Sequence, residues 1–184
     1  IFPKVTGGFS STLSWKGISL YARFDYALGH TLYNDLAART LGQYQGAFNI
    51  ITEVKDMWSE DNPNSDLPAF YYADQLAKKN ITRSNNASAS RHNNSSRLYE
   101  KADYLALREL TLSWDLPKAW TSKAFIQNAS VYVTGQNLFY VTGYTGTSPE
   151  PVLTNSDNNE NLYGVDQGRY PTPRTVLFGL SVTF

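Results

Sequence analysis

The stretch Val5–Leu28, VTGGFSSTLSWKGISLYARFDYAL, decides the fold. Val5, Gly7, Phe9, Ser11, Leu13 and Trp15 alternate with Thr6, Gly8, Ser10, Thr12 and Ser14. A period of two sends successive side chains to opposite faces of a strand, here one greasy and one polar. Lys16-Gly17 is a two-residue turn signal. Alternation then resumes, with Ile18, Leu20, Ala22, Phe24, Tyr26 and Leu28 on one side. Ser19, Tyr21, Arg23, Asp25 and Ala27 fall on the other. The stretch reads as a hairpin.

The same pattern recurs downstream. Thr175–Phe184 alternates cleanly, with Val176, Phe178, Leu180, Val182 and Phe184 on its apolar side. Tyr104–Asp115 is a third strand, although Leu105 and Leu107 are out of phase with Leu110, Leu112 and Trp114. A bulge near Arg108-Glu109 reconciles the two halves. Val131–Val141 is a fourth strand, its alternation weakened around Gly135-Gln136-Asn137. Leu116–Asn128 is a short connection in which Pro117 starts one helical turn.

Between the second and third strands lies a long insertion, Gly29 to Arg97. Thr31–Leu41 and Ala47–Trp58 read as short helices, and Asp66 as a cap for another over Pro68–Lys79. Asn80–Ser96 holds five Asn and five Ser and reads as a mobile loop. A second long loop runs from Thr142 to Pro173. Connections are therefore short, long, short, long. Eleven-residue strands rise about 36 Å and, tilted near 45°, cover an apolar band of about 25 Å. Apolar-out, polar-in strands with this loop asymmetry are the pattern of a transmembrane β-barrel. Trp15, Trp114 and Phe184 fall at the short-turn ends, and Tyr26, Phe139 and Tyr140 near the others, as two aromatic girdles would. The alternative is a soluble β-sandwich that packs its apolar faces together.

Composition fits a membrane wall. The 184 residues carry 16 Lys+Arg against 16 Asp+Glu, so no basic field points to nucleic acid. Charged residues are 17% and aromatics 14%, with no Cys. There is thus no disulfide framework, thiol nucleophile or Cys-based metal site. No run of 18 apolar residues forms a spanning helix.

Several blocks carry a resemblance. Ala102–Pro117 (ADYLALRELTLSWDLP), Val131–Phe139 (VYVTGQNLF), Tyr144-Thr145-Gly146, Pro149-Glu150 and Gly168–Phe184 (GRYPTPRTVLFGLSVTF) resemble, in order, blocks of SusC/RagA-type TonB-dependent outer-membrane transporters. Pro3–Phe9 and the spacing of Trp58, Asn62-Pro63, Asp66 and Pro68 are similar as well. The resemblance implies an all-β membrane fold, a barrel of about 22 antiparallel strands with a plugged lumen. It also implies a SusD-like surface lipoprotein as lid, energy supplied through TonB, and import of glycan fragments or oligopeptides across the outer membrane of Bacteroidetes-type bacteria. About five strands leave two edges unpaired, which lipid does not tolerate. Residues 1–184 are therefore expected to be the C-terminal part of a larger polypeptide whose plug and remaining strands complete the barrel. A passive porin is the alternative function.

The resemblance also implies sidedness. Phe184 is the assembly signal and lies periplasmic, with the short turns. The long loops, carrying short helices, are extracellular. Arg23 and Asp25 are expected to face the lumen, there to pair with plug residues or each other, with a simple hydrated wall as the alternative. Trp58, Tyr71 and Tyr72 are candidates for stacking on sugar rings or packing against the lid, with local helix packing as the alternative.

Other chemistry is sparse. His30 and His92 lack the spacing of paired ligands and read as loop histidines. No phosphate-binding glycine loop is present, and no catalytic residue is assigned. Asn155, Asp157 and Asn159 alternate as calcium ligands do. Only Asp157 among them is charged and no turn glycine follows, so a solvated loop is the simpler reading. Ca2+ is the one cofactor suggested.

Overall fold

A computed structural model describes residues 1–38, 40–41, 49, 51–67, 69, 96–150, 164–168 and 170–184. In chain order the elements are β1 (Val5–Trp15), β2 (Ile18–Leu28), β3 (Thr31–Asn34), α1 (Asp35–Ala38), β4 (Tyr99–Lys101), β5 (Tyr104–Asp115), α2 (Lys118–Thr121), β6 (Asn128–Thr142), β7 (Val165–Asp166) and β8 (Thr175–Thr183). Strands dominate. No described helix is long and apolar enough to cross a membrane.

The elements fall into two compact units. One comprises Phe2–His30, Ala102–Tyr144 and Tyr170–Phe184. It is a five-stranded sheet in the order β1-β2-β5-β6-β8, antiparallel throughout. Neighbours in the sheet are neighbours in the meander, as the alternating connection lengths require. The β1–β2 hairpin turns on Lys16-Gly17, where both residues have positive φ (48° and 85°), the requirement of a tight turn matched to strand twist.

The expected bulge is present. Arg23 pairs Glu109 and Phe24 pairs Leu107, leaving Arg108 as the extra residue of β5. A second irregularity follows in β6, where Gln136 pairs Glu109 and Phe139 pairs Leu107, with Asn137 at φ 53°. These offsets bring Leu105 and Leu107 into phase with Leu110, Leu112 and Trp114. Tyr140 pairs Ala106 and lies on the polar face, so it leaves the expected girdle.

The other unit comprises Ile1, Thr31–Lys101 and Thr145–Arg169. Its sheet has the order β4-β3-β7, antiparallel on one side of β3 and parallel on the other. Here the expected helix Thr31–Leu41 is corrected at its start: Thr31–Asn34 is a strand, while Asp35–Ala38 is α-helical and Thr40 and Leu41 are π-helical. Leu32 is fully buried, and pairing on both sides of Thr31–Asn34 holds these residues extended, so the helix starts only at Asp35, ahead of the Leu36-Ala37-Ala38 run. Asn34 caps the helical turn, its Oδ1 accepting from Ala37 N–H at 2.9 Å. Of Ala47–Trp58, the described residues form a 3-10 turn at Thr52–Asp56 and not a continuous helix. The expected Pro68–Lys79 helix and the Asn80–Ser96 loop lie largely outside the described residues. Ser96–Leu98 is a 3-10 turn.

Candidate functional site

The five-stranded sheet presents two chemically opposed faces. On one, cross-strand rows run Leu13–Leu20–Leu112–Val133–Phe178 and Trp15–Ile18–Trp114–Val131–Leu180. All of these side chains but the half-buried Val133 are exposed, Trp15 by 68%, Leu180 by 65% and Phe178 by 82%. Phe9 and Phe24 stack at 4.9 Å in the same layer. An apolar face of five strands left uncovered is far beyond what a water-facing surface carries.

The opposite face is made of hydroxyls and small residues. Its rows run Thr12–Tyr21–Thr111–Thr134–Leu177 and Ser14–Ser19–Ser113–Tyr132–Gly179. Hydroxyls pair across strands, Ser14 with Ser19 and Thr111 with Thr134, each at 2.8 Å. Such pairs satisfy polar groups without fixed charge.

One charged cluster interrupts this face at the bulge. Arg108 grips Asp25 side-on along one guanidinium edge: Nε donates to Oδ1, and Nη2 to Oδ2 at 2.9 Å. Nη1 donates to the Tyr140 hydroxyl at 2.8 Å and to Asn137 Oδ1 at 3.4 Å. The guanidinium also lies 5.3 Å from the Tyr140 ring centroid. Tyr140 in turn meets Tyr104 edge-on and packs on the small core of Ala27, Tyr104 and Ala106. Beside the cluster, a cavity of about 460 Å³ is lined by Gly7, Gly8, Arg23, Asp25 and Arg108 among others. Asp25 is thus paired with Arg108 and not with Arg23. Arg23 is exposed and sits opposite Glu109 across the strand pair.

A second polar network lies in the smaller unit. Asn34 Nδ2 donates to Glu100 Oε1 at 3.0 Å and to Thr145 Oγ1 at 3.3 Å. Thr145 N–H donates to Glu100 Oε2 at 3.0 Å. Asp166, 1% exposed, accepts from Thr147 N–H, Thr147 Oγ1–H and Gly168 N–H at 2.9–3.0 Å. Trp58 is exposed in this unit and its N–H donates to Leu67 C=O at 2.7 Å.

Comparison with known proteins gives these faces a context. No protein-family model matches the chain. Two TonB-dependent receptors of Formosa agariphila are 31% and 30% identical to it, each over 99% of this chain. A structure of the RagAB peptide importer in the closed-closed state aligns with a TM-score of 0.72 at 28% identity over 99% of this chain. The open-open state aligns at 0.70 and 28% over 100%. The chain is homologous to TonB-dependent receptors. It spans 16–17% of the length of those receptors and 17% of the RagAB chains. By name these relatives are receptors and importers, not enzymes.

In this TonB-dependent-receptor homologue, Tyr71, Tyr72, Asn155, Asp157 and Asn159 lie outside the described residues. Among the described residues no cluster of three His, Asp or Glu is arranged to hold a metal. His30 is buried, 2% exposed and edge-on to Tyr104, and so is no surface histidine. The residue order points to Arg108 as a bulge position, Asn137 as a break in alternation and Tyr140 as a girdle residue, but not to the cluster that they form with Asp25. The broken phase of β5 marked the place, since a bulge re-aims the side chain it carries.

Proposed function

We propose that the chain is a stretch of barrel wall, with its extracellular loops, of a SusC/RagA-type TonB-dependent outer-membrane importer. The observation that carries this is the five-stranded sheet with an exposed apolar face backed by a hydroxyl-lined one. Lipid covers the first and a hydrated, plugged lumen meets the second. Further strands of the same transporter close the barrel, to about 22 in all. The short connections face the periplasm and the long ones the exterior, where a SusD-like lipoprotein acts as lid. Phe184 serves as the assembly signal. A soluble carbohydrate-binding sandwich would bury Phe178 and Leu180, which here stay exposed.

The cargo is an oligopeptide or a glycan fragment, driven inward by TonB. Trp58, exposed in the first long loop, is a candidate to touch cargo or lid. Uptake by cells carrying the full-length protein tests this reading. Accumulation of a labelled peptide or oligosaccharide library is expected to stop when TonB is removed. Flux that persists unchanged without TonB would make the protein a passive porin.

A further inference from the structure

We propose that the β1–β2 turn and the β5–β6 connection together form a phospholipid-headgroup anchor. Its rings are Trp15, Trp114, Trp120 and Phe125, and its cations are Lys16 and Lys123. The proposal rests on the lipid-facing reading of the apolar face and extends it beyond the strands.

Pro117 opens one turn of α2, a 3-10 turn at Ser122–Ala124 follows, and Phe125 ends it at φ 59°. That left-handed conformation disfavours any Cβ and ordinarily falls to Gly or Asn. Phe125 nevertheless carries a ring that is 92% exposed. Strained backbone and a bare ring together call for an apolar environment outside the described residues.

Trp120 supplies direction. It is 60% exposed and meets Trp114 edge-on at 5.9 Å. Trp114 belongs to the apolar row that begins at Trp15. Trp120 therefore continues the apolar face past the strand ends. The two connections lie side by side, Asp115 N–H donating to Gly17 C=O at 2.8 Å. Lys16 Nζ sits 4.8 Å from the Trp15 ring centroid, and Lys123 is exposed in the 3-10 turn. Lys118 differs: with Asp115, Asn128 and Ser181 it lines a crevice on the polar side. Indole rings prefer the membrane interface, and ammonium groups beside them match lipid phosphate. Charge and continuity with the apolar face favour an acidic phospholipid over a protein partner.

The test uses the full-length transporter, on a background without other cysteines, in phosphatidylcholine bilayers with or without phosphatidylglycerol. Spin labels at Phe178→Cys and Phe125→Cys report depth by collision with oxygen and a water-soluble nickel complex. The label at 178 is expected in hydrocarbon and that at 125 at headgroup depth. A label at 125 in bulk water, with 178 in hydrocarbon, overturns the anchor and leaves the wall intact. Both labels in water overturn the wall as well. Native mass spectrometry then counts retained phosphatidylglycerol. Lys16→Gln and Lys123→Gln are each expected to lower retention about fivefold, and Lys118→Gln to leave it unchanged. Phe125→Gly relieves the backbone strain and should fold as well as the parent while retaining less lipid. Unchanged retention in the Lys16, Lys123 and Phe125 variants, or equal loss with Lys118→Gln, overturns the proposal.

Discussion

Arg108 and Asp25 meet fork to fork across β5 and β2, with two parallel hydrogen bonds between guanidinium and carboxylate. The pair exists because the β5 bulge frees Arg108 from the strand register and swings it over the polar face. Bidentate geometry makes such a pair stronger than a lone contact.

The Arg108 side chain is 16% exposed and that of Asp25 34%, so solvent screens the pair only in part. Asp25→Ala removes the carboxylate and leaves the guanidinium its hydrogen bonds to Tyr140 and Asn137. It is expected to destabilise the protein by about 1–2 kcal/mol after allowance for that exposure. Adding Arg108→Met should recover part of the loss. A double-mutant cycle on denaturant unfolding of the full-length protein checks this; strictly additive losses would mean that the two side chains are not coupled.

Leu177 and Phe178 are adjacent and both apolar, yet they lie on opposite faces of β8. Phe178→Arg places a charge on the lipid face and is expected to cost about 2–4 kcal/mol in bilayers if it sits near the midplane. Leu177→Arg enters the hydroxyl-lined face and should cost less than about 1 kcal/mol. Refolding into lipid vesicles, followed by heat-modified gel mobility, distinguishes them. Equal penalties would show that the faces are misassigned.

Tyrosine rings cover glycines in both edge strands. A Cβ at Gly179 would run into the Tyr132 ring, and one at Gly7 would stand 2.6 Å from the Tyr26 hydroxyl oxygen. Gly179→Ala is expected to cost about 1–2 kcal/mol as the ring is forced to move. In a Tyr132→Ala background the same change should cost markedly less. Unfolding midpoints of the four proteins measure the difference.

In the smaller unit, Asn34→Asp keeps the helix-capping oxygen but replaces the amide that donates to Glu100 and Thr145 with a second carboxylate. Repulsion from Glu100 should loosen the hold on residues 145–150. Faster hydrogen exchange of the amides there and at Tyr99–Lys101 is expected, with the five-stranded sheet unaffected. Unchanged exchange would show that the network does not hold that segment.

The long strands were legible because one face of each is uniformly apolar, so period two survives in the residue order. Even the β5 bulge could be read, from the phase jump between Leu107 and Leu110. The short strand β3 could not. Its partners are Tyr99–Lys101 and Val165–Asp166, more than sixty residues away, and four residues are too few to show a period. Asp25 and Arg108 stand 83 positions apart, and nothing local to either names the other. The helix expected over Ala47–Trp58 rested on apolar spacing alone, without a cap at either end, and a single 3-10 turn satisfies part of the same spacing.

The sheet β4-β3-β7 draws its strands from both long excursions of the chain, two from the first and one from the second. These loops are therefore a single heritable unit. A graft that exchanges one alone would strand one or two strands of a three-stranded sheet, along with Asn34 or Thr145 of the network that ties them together. Re-engineering cargo choice in such a protein would call for transplanting residues 29–103 and 143–174 as a matched pair.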